Sequence, residues 1–231
     1  MSRRLPIYLL IDCSGSMMGD PIEAVRSGVN LLVDALNQNP SAFDCAHLSV
    51  ITFNSQAKEA APLTPLSDFT IPDFQTCYGT SLGKALELLE EKVKTDVKKQ
   101  SATQQGDWLP LIFILTDGKP SDRLAYQEIA RRIRAGEIPE LRSSNIIACA
   151  AGGKADPEAL KIVTDNVTIL NNLSAEESRS ILHLPLWLRS TRRSRGIYSF
   201  PRSATRRIRP GLPYRWTTTA NPPAPPKGAV L

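Results

Sequence analysis

The amino-acid sequence predicts an α/β protein with a Rossmann-like, doubly wound and mostly parallel sheet of about six strands and helices on both faces. Two observations lead to this prediction. Compact apolar runs alternate along the chain with amphipathic stretches at helical spacing, which is typical of a parallel sheet with crossover helices. In addition, Asp, Ser and Thr residues follow directly after several of these runs, at the positions where open α/β sheets bind ligands.

Six segments are predicted as strands because they are apolar, are rich in β-branched or aromatic residues, or follow a tight turn. They are Leu5–Ile11, Ala46–Phe53, a short strand after the turn at Asn54 and Ser55, Leu109–Thr116, Asn145–Ala150 and Val167–Leu170. Two further segments are predicted to lack regular structure. Residues 62–72 form a loop, and residues 94–107 form a polar, exposed stretch.

Three long helices are predicted from apolar residues that recur on one helical face. The first begins at Pro21, because proline suits a first helical turn, and ends before Pro40. The second follows Ser81 and the third follows Asp122, two residues whose side chains can accept hydrogen bonds from a first helical turn. Short helices are expected between the last two strands and after Ser174.

The distribution of charge divides the chain into two predicted parts. The sequence before Arg189 holds 18 basic and 23 acidic residues, whereas the remainder holds nine arginines, one lysine and no acidic residue. We therefore predict a mildly acidic domain over residues 1–182 and a basic, Pro/Arg-rich tail over residues 183–231. The composition of the tail is typical of a disordered segment, and it can also arise from a frameshift in a GC-rich gene.

The cysteines and the apolar runs indicate a cytoplasmic protein. The four cysteines are widely spaced and form no C-x-x-C pair, so a zinc site built from clustered ligands is not expected. Four reduced thiols fit a reducing compartment. No apolar run reaches the roughly 18 residues of a membrane helix. The first apolar run is followed by the Asp12 motif and not by the small residues of a signal-peptide cleavage site, so it is predicted to be the first strand.

Oxygen donors follow the predicted strands or open the predicted helices at three places in the chain. These donors are Asp12, Ser14, Ser16, Thr80 and Asp117. Because the carboxyl ends of parallel strands meet at one edge of the sheet, we expect the five side chains to form one divalent-cation site. Carboxylates and hydroxyls are hard ligands, which favours Mg²⁺ or Mn²⁺.

Three motifs carry a resemblance to a known family. They are D-C-S-G-S-M-M-G-D-P-I-E-A-V (12–25), G-T-S-L-G-K-A-L (79–86) and D-W-L-P-L-I-F-I-L-T-D-G-K-P-S-D (107–122). Over residues 5–182 the chain resembles von Willebrand factor A (VWA) domains with a metal-ion-dependent adhesion site (MIDAS). The resemblance implies a Rossmann-like fold and metal-ligand roles for the same five residues.

Within that family the chain looks most like the bacterial tellurium-resistance-associated branch. This resemblance implies an adaptor of a stress or tellurite-resistance system, associated with kinase and phosphatase partners. A partner carboxylate is expected to complete the shell of the metal. Two departures from the family pattern are visible. Cys13 stands where the family often has Thr. In addition, the family is expected to continue with a helix after about residue 175, but here the sequence changes to an Arg-rich tail without acidic residues.

An enzyme is one alternative function, and the sequence gives little support for it. Phosphatases that form an aspartyl-phosphate place a second Asp two residues after the first, where this chain has Ser14. A serine nucleophile needs a base, and the two histidines are His47, within a predicted strand, and His183, beside the tail. The sequence has no G-x-x-x-x-G-K-[ST] motif for ATP phosphates. We therefore expect a non-enzymatic protein.

Nucleic-acid binding is the second alternative, and it depends on the tail alone. The arginines between residues 189 and 215 can neutralise phosphates without sequence specificity. Aromatic residues that can stack on bases lie among them or just before them: Trp187, Tyr198, Phe200, Tyr214 and Trp216. No membrane partner is expected.

Overall fold

A computed structural model describes residues 3–170 of the chain, apart from residues 119, 153 and 154. Six strands and five helices lie in this part. The strands are β1 (Leu5–Asp12), β2 (Ala46–Phe53), β3 (Ala57–Pro65), β4 (Leu111–Thr116), β5 (Ile146–Ala151) and β6 (Val167–Leu170). The helices are α1 (Asp20–Asn37), α2 (Pro40–Phe43), α3 (Leu82–Asp96), α4 (Arg123–Ala135) and α5 (Pro157–Leu160).

The six strands form one sheet in the order β3-β2-β1-β4-β5-β6. All neighbouring pairs are parallel except β2 and β3, which form an antiparallel pair at one edge. The strand order reverses between β1 and β4, which is where open α/β sheets bind their ligands. This topology confirms the predicted mostly parallel, doubly wound sheet.

The central strand β1 is buried along its whole length. Because side chains alternate across a strand, Ile7 and Leu9 join one apolar cluster with the inner face of α1. Tyr8 and Leu10 join a second cluster with α3 and α4 on the opposite side of the sheet. The predicted arrangement of helices on both faces is therefore confirmed, and the apolar residues predicted for α1 and α3 lie in these two clusters.

Strand β3 is longer than the sequence predicted. The segment 62–72 was expected to be a loop, but β3 continues to Pro65 and pairs with β2 as far as His47. The prediction failed because β3 is an edge strand that is partly exposed along its length. An edge strand needs neither a continuous apolar run nor every backbone N–H, so prolines are tolerated there.

The polar segment 94–107 is not exposed throughout, as had been predicted. Asp107 is buried, and its carboxylate accepts hydrogen bonds from the Arg4 guanidinium at 2.9 and 2.5 Å and from the backbone N–H of Lys98 at 2.8 Å. Next to it, the Arg3 guanidinium lies 4.0 Å from the centre of the Trp108 ring. These contacts fasten the segment before β4 to the start of β1, and a composition-based prediction could not foresee them.

The first turns of α3 and α4 are packed directly against each other. A Cβ atom at Gly83 would lie 2.6 Å from the backbone nitrogen of Tyr126, so this close approach requires glycine. The carboxylate of Asp122 accepts a hydrogen bond from the N–H of Lys84 in α3 at 3.0 Å, although it was predicted to cap α4. The Ser81 hydroxyl donates to the Ser55 carbonyl at 3.3 Å and does not cap α3, as had been predicted.

The other predictions about local structure have mixed outcomes. The short helix between the last two strands is confirmed as α5. Strand β4 begins at Leu111, two residues later than predicted. The helix expected after Ser174, the domain boundary at residue 182 and the basic tail lie outside the described residues. Among the described residues, no helix has the length and apolar character needed to cross a membrane.

A charged cluster joins α3 to α4 farther along the two helices. The Glu90 carboxylate accepts two hydrogen bonds from the Arg132 guanidinium, at 2.7 and 2.8 Å, and one from the Lys94 ammonium at 2.7 Å. The hydrogen bonds from Arg132 lower the pKa of Glu90 below its ordinary value. Glu90 is itself buried, so this cluster contributes more than an exposed ion pair would.

We predict that Glu90→Gln lowers the free energy of unfolding by about 1 kcal/mol at pH 7. Because the pKa of Glu90 is lowered in the folded state, its contribution is present above the unfolded pKa of about 4.3 and is lost as the pH falls below it. Urea unfolding at pH 7 and pH 3.5 measures the difference. The matched control is Glu128→Gln, in an exposed pair with Arg131, which should have little effect. An equal loss for Glu90→Gln at both pH values would contradict the account.

Candidate metal centre

The five predicted site residues lie at the carboxyl ends of the parallel strands, on or next to three loops. Asp12 is the last residue of β1, and Ser14 and Ser16 belong to the turn that follows it. Asp117 follows the last residue of β4. Thr80 lies two residues before the start of α3. We name these loops the first loop (residues 13–19), the second loop (residues 76–81) and the third loop (residues 117–122).

Asp12 is the most deeply placed of the five residues and is fully buried. Its carboxylate accepts a hydrogen bond from the Thr116 hydroxyl at 2.5 Å and another from the Ser14 backbone N–H at 2.8 Å. Burial raises the pKa of Asp12 to about 6, despite these two hydrogen bonds, and the negative charge of nearby Asp117 acts in the same direction as burial. A buried carboxylate of this kind is stabilised by any cation that binds next to it.

The first loop brings two hydroxyl oxygens together. A 3-10 turn over Gly15–Met17 places the Ser14 and Ser16 hydroxyl oxygens 3.0 Å apart. The buried Met17 side chain fixes the turn in the α1-side core, and the Met17 N–H donates to the Ser14 carbonyl at 3.1 Å. Ser14 is buried and Ser16 is exposed. One of the two hydroxyl-bearing residues therefore lies inside the protein beside Asp12, and the other lies at the surface.

The second loop is held by hydrogen bonds to its neighbours. The Thr80 carbonyl accepts from the Ser121 N–H at 2.7 Å and from the Ser121 hydroxyl at 2.8 Å, so the second and third loops are tied together. Within the described part of the chain, the Thr80 hydroxyl makes no hydrogen bond and is available to a ligand. Gly79 has a φ of 86° and a Cβ there would lie 2.9 Å from Ser55, so glycine is required at this turn.

The third loop is fastened on its other side to the loop that follows β5. The Asp117 carbonyl accepts from the Asp156 N–H at 2.7 Å. Gly118 has a φ of 81°, and a Cβ there would lie 2.4 Å from the Asp156 carbonyl oxygen. The Gly118 N–H donates to the Thr116 hydroxyl at 3.1 Å, which in turn donates to Asp12. The third loop is therefore connected to the Asp12 carboxylate through Gly118 and Thr116.

Thr116 and Ser121 support the site and were not identified from the sequence. Thr116 lies next to Asp117, and the β1–β4 register pairs Ile11 with Leu115, so the next residues along, Asp12 and Thr116, are also side by side. The sequence predicted a mostly parallel sheet but not that β1 and β4 are neighbours, so Thr116 could be identified only after this pairing was known. Ser121 could not be found in this way because its role depends on how two loops approach each other.

The donor set fits a hard divalent cation. Two carboxylates and three hydroxyls are the ligands that Mg²⁺ and Mn²⁺ prefer. The 3.0 Å between the Ser14 and Ser16 oxygens matches the separation of about 3.0 Å between adjacent ligands of an octahedral ion with bonds of about 2.1 Å. The described residues contain no cluster of three or more His, Cys, Asp or Glu suited to a metal, so an ion here would depend on the hydroxyls.

A family model for the von Willebrand factor type A domain matches residues 7–180. The chain belongs to this family. An uncharacterised protein of Synechocystis sp. is 32% identical over 126 residues, which cover 51% of this chain and 26% of that protein. A von Willebrand factor A domain-containing protein of Dictyostelium discoideum is 25% identical over 178 residues, covering 73% of this chain and 18% of that protein. The chain thus spans about a quarter or less of these two relatives.

Solved structures show the same VWA fold at low sequence identity. Proximal thread matrix protein 1 from the mussel byssus superposes with a TM-score of 0.56 at 19% identity, covering 81% of this chain and 48% of that one. A von Willebrand factor type A protein from Catenulispora acidiphila gives a TM-score of 0.54 at 16% identity, covering 79% and 42%. A further structure of the mussel protein has zinc in its MIDAS motif, with a TM-score of 0.51, 15% identity and coverage of 79% and 46%.

We predict that replacing Asp12 by Asn stabilises the metal-free VWA domain at neutral pH. Because the pKa of Asp12 is raised to about 6, the folded state binds more protons than the unfolded state between about pH 4 and pH 6, so wild-type stability falls as the pH rises through that range. The variant has no carboxylate to titrate and does not lose stability in this way. Its free energy of unfolding should therefore rise relative to that of the wild type by up to about 3 kcal/mol between pH 4 and pH 7. Urea unfolding in EDTA measures this difference in the free energy of unfolding. A difference that does not change with pH would refute the raised pKa of Asp12.

Proposed function

We propose that this VWA domain is a metal-dependent protein-binding module that holds an acidic group of a partner through a divalent cation. The observation that carries the proposal is the buried Asp12 carboxylate, which has no salt bridge within the described residues and lies at the end of β1 among hydroxyl oxygens. Asp12, Ser14, Ser16, Thr80 and Asp117 would hold the ion.

The ligand set favours Mg²⁺ or Mn²⁺ as the resident ion. All five proposed ligands are hard oxygen donors, and none is the thiolate or imidazole that zinc prefers. The mussel protein with zinc in its MIDAS motif supports binding of a divalent cation at this place in the fold. Its identity to this chain is low, so the preference for magnesium or manganese rests on the donors in this sequence.

Incomplete neutralisation of the ion explains why the site would bind a partner. Two carboxylates, from Asp12 and Asp117, can supply the charge, directly or through water, and the three hydroxyls are neutral. A cation ligated in this way retains affinity for another anionic oxygen, and Mg²⁺ commonly keeps positions for water or for oxygens supplied by a ligand. When bound, the metal supplies electrostatic attraction for a carboxylate of the partner.

The surface around the site is suited to a protein partner. The three most exposed large apolar side chains in the described part of the chain are Tyr78, Leu124 and Met18, with exposed fractions of 88%, 84% and 68%. Met18 lies on the first loop, Tyr78 on the second, and Leu124 in the first turn of α4, directly after the third loop. Exposed apolar groups around a polar centre are characteristic of protein interaction surfaces.

The resemblance to the tellurium-resistance-associated branch supports a more specific proposal. On that basis the module is an adaptor of a bacterial stress or tellurite-resistance system, and its partner belongs to a kinase or phosphatase system. The four cysteines Cys13, Cys45, Cys77 and Cys149 are unpaired, which supports a reducing compartment such as the cytoplasm.

We propose that the module is not an enzyme. Asp12 and the two serines have no histidine beside them in the described residues, because His47 lies at the start of β2, at the opposite end of the strands from the site. The Nδ1 atom of its ring lies 3.1 Å from the Cys45 carbonyl oxygen, which supports a structural role. His183 and the Arg-rich tail, on which the alternative of nucleic-acid binding depends, are outside the described residues.

We predict that Mg²⁺ raises the melting temperature of the protein and that Asp12→Ala abolishes this rise while leaving a folded chain. At a hundredfold excess over the dissociation constant the ion contributes about 2.7 kcal/mol, or roughly 5–10 °C for a domain of this size. Asp68→Ala removes an exposed carboxylate beyond the far end of β3 and is the matched control. Equal shifts in all three proteins would place the ion elsewhere, and no shift in any of them would contradict the proposed metal site.

We predict that Tyr78→Ser weakens partner binding by at least about tenfold and leaves the Mg²⁺-dependent rise in melting temperature intact. The measurement is capture of partner from a bacterial lysate by the immobilised domain in Mg²⁺, in parallel with EDTA and Asp12→Ala. Phe43→Ser removes an exposed aromatic ring on α2, away from the site, and should have no effect. Capture that persists in EDTA, or that Phe43→Ser reduces as strongly as Tyr78→Ser, would contradict the proposed surface.

A further inference from the structure

The chain that leads into the second loop is held against α1. Residues 69–75, which we name the linking segment, have neither helical nor strand structure. Phe74, near the end of this segment, is 4% exposed and belongs to the apolar cluster that contains Met17 of the first loop and Val25 of α1. The second loop begins two residues after Phe74, so the position of this side chain constrains where that loop starts.

Arg26 joins α1 to the linking segment. Its guanidinium group donates a hydrogen bond of 3.3 Å to the Phe74 carbonyl, and its central carbon lies 4.6 Å from the centre of the Phe74 ring. Its two ion pairs, of 3.5 Å to Asp73 and 3.7 Å to Glu23, involve side chains that are 73% and 67% exposed. Exposed ion pairs contribute little, so the contacts with Phe74 are the ones that fasten the segment.

The second loop is in turn paired with the first loop. Cys77 forms an isolated parallel bridge with Ser14, one of the proposed ligands, and its N–H donates to the Cys13 carbonyl at 2.7 Å. Thr80, the proposed ligand from the second loop, follows three residues after Cys77. The first loop continues directly into α1, the helix that carries Arg26. The two loops, α1 and the linking segment therefore form a closed ring of contacts.

We propose that Arg26 is a positioning residue for the metal centre. By holding the linking segment against α1, it determines where Cys77 pairs with the first loop, and thereby how the Ser14 and Thr80 hydroxyls are placed relative to each other. Arg26 acts through these segments and is not itself a ligand, because a guanidinium group has no acceptor atom to offer a metal ion. This role rests on the proposed function, since it concerns the same cation site.

The positive charge of Arg26 separates a positioning role from two simpler ones. A positive charge opposes the binding of a nearby cation, so its removal would by itself strengthen metal binding. A positioning role has the opposite effect, because a loop that is held less firmly loses more conformational entropy when the ion orders it. A merely structural role would lower the melting temperature and leave the metal affinity of the folded protein unchanged.

The test is the affinity of the full chain for Mn²⁺, measured from the electron paramagnetic resonance signal of the free ion at a temperature at which every variant is folded. We expect Arg26→Ala to weaken binding by about three- to tenfold, because it removes a cation–π contact and a hydrogen bond. Arg26→Lys keeps the charge but lacks the planar group, so it should also weaken binding. The matched control is Arg131→Ala, which removes the same charge from exposed ion pairs on α4 and should bind Mn²⁺ as the wild type does.

Two further measurements connect the effect to the linking segment. Phe74→Leu keeps an apolar side chain in the cluster but removes the ring, and its loss of Mn²⁺ affinity should be less than additive with that of Arg26→Ala. In EDTA, the Cys77 amide should exchange with solvent faster in Arg26→Ala than in the wild type. The Ser81 amide, which donates to the Asn54 carbonyl at 2.6 Å, should exchange at the wild-type rate.

The outcomes separate this proposal from the proposed metal site. If the wild type binds Mn²⁺ and Arg26→Ala binds it equally or more tightly, Arg26 is not a positioning residue and the metal site stands. Unchanged exchange of the Cys77 amide in Arg26→Ala, or fully additive losses with Phe74→Leu, would also overturn the role of Arg26. If the wild type binds no Mn²⁺, the proposed metal site fails, and the role of Arg26 fails with it.

Discussion

The carboxylate of Asp12 is a negative charge buried at the end of the central strand, and the arrangement of the site depends on it. The residues before it in β1 are covered on both sides of the sheet by apolar clusters, so the strand cannot move to expose the group. Two hydrogen bonds, from Thr116 and Ser14, leave its pKa raised. Stabilisation has to come from a proton or a cation, which is why a group unfavourable for folding indicates a binding site.

The loops around Asp12 are held to one another and to neighbouring segments largely by hydrogen bonds to backbone carbonyls. Ser121 binds the Thr80 carbonyl, Asp156 binds the Asp117 carbonyl, and Ser81 binds the Asn54 carbonyl. Because the backbone is fixed in this way, the three loops are held in place without a bound ligand. A site organised before the ligand arrives loses less conformational entropy on binding.

The sequence predicts the parts of the structure that depend on local pattern. The buried strands β1 and β4 follow from continuous apolar runs, and the apolar faces of α1 and α3 follow from helical periodicity. The five donors follow from their positions after strands or before a helix. Long-range contacts are not encoded in this way. The extension of β3 depends on its place at the sheet edge, the burial of Asp107 depends on Arg4, and Asp122 supports a different helix from the one it begins.

The central claim is that one cation binds among the donors that surround Asp12, and it is tested most directly by crystals of the protein grown with Mn²⁺. Anomalous diffraction locates manganese independently of any assumption about its ligands. We expect one strong peak at the carboxyl ends of β1 and β4, in contact with the Ser14 and Ser16 hydroxyls and absent in Asp12→Ala crystals. A strong peak elsewhere, or no peak beside these hydroxyls at saturating Mn²⁺, would contradict it.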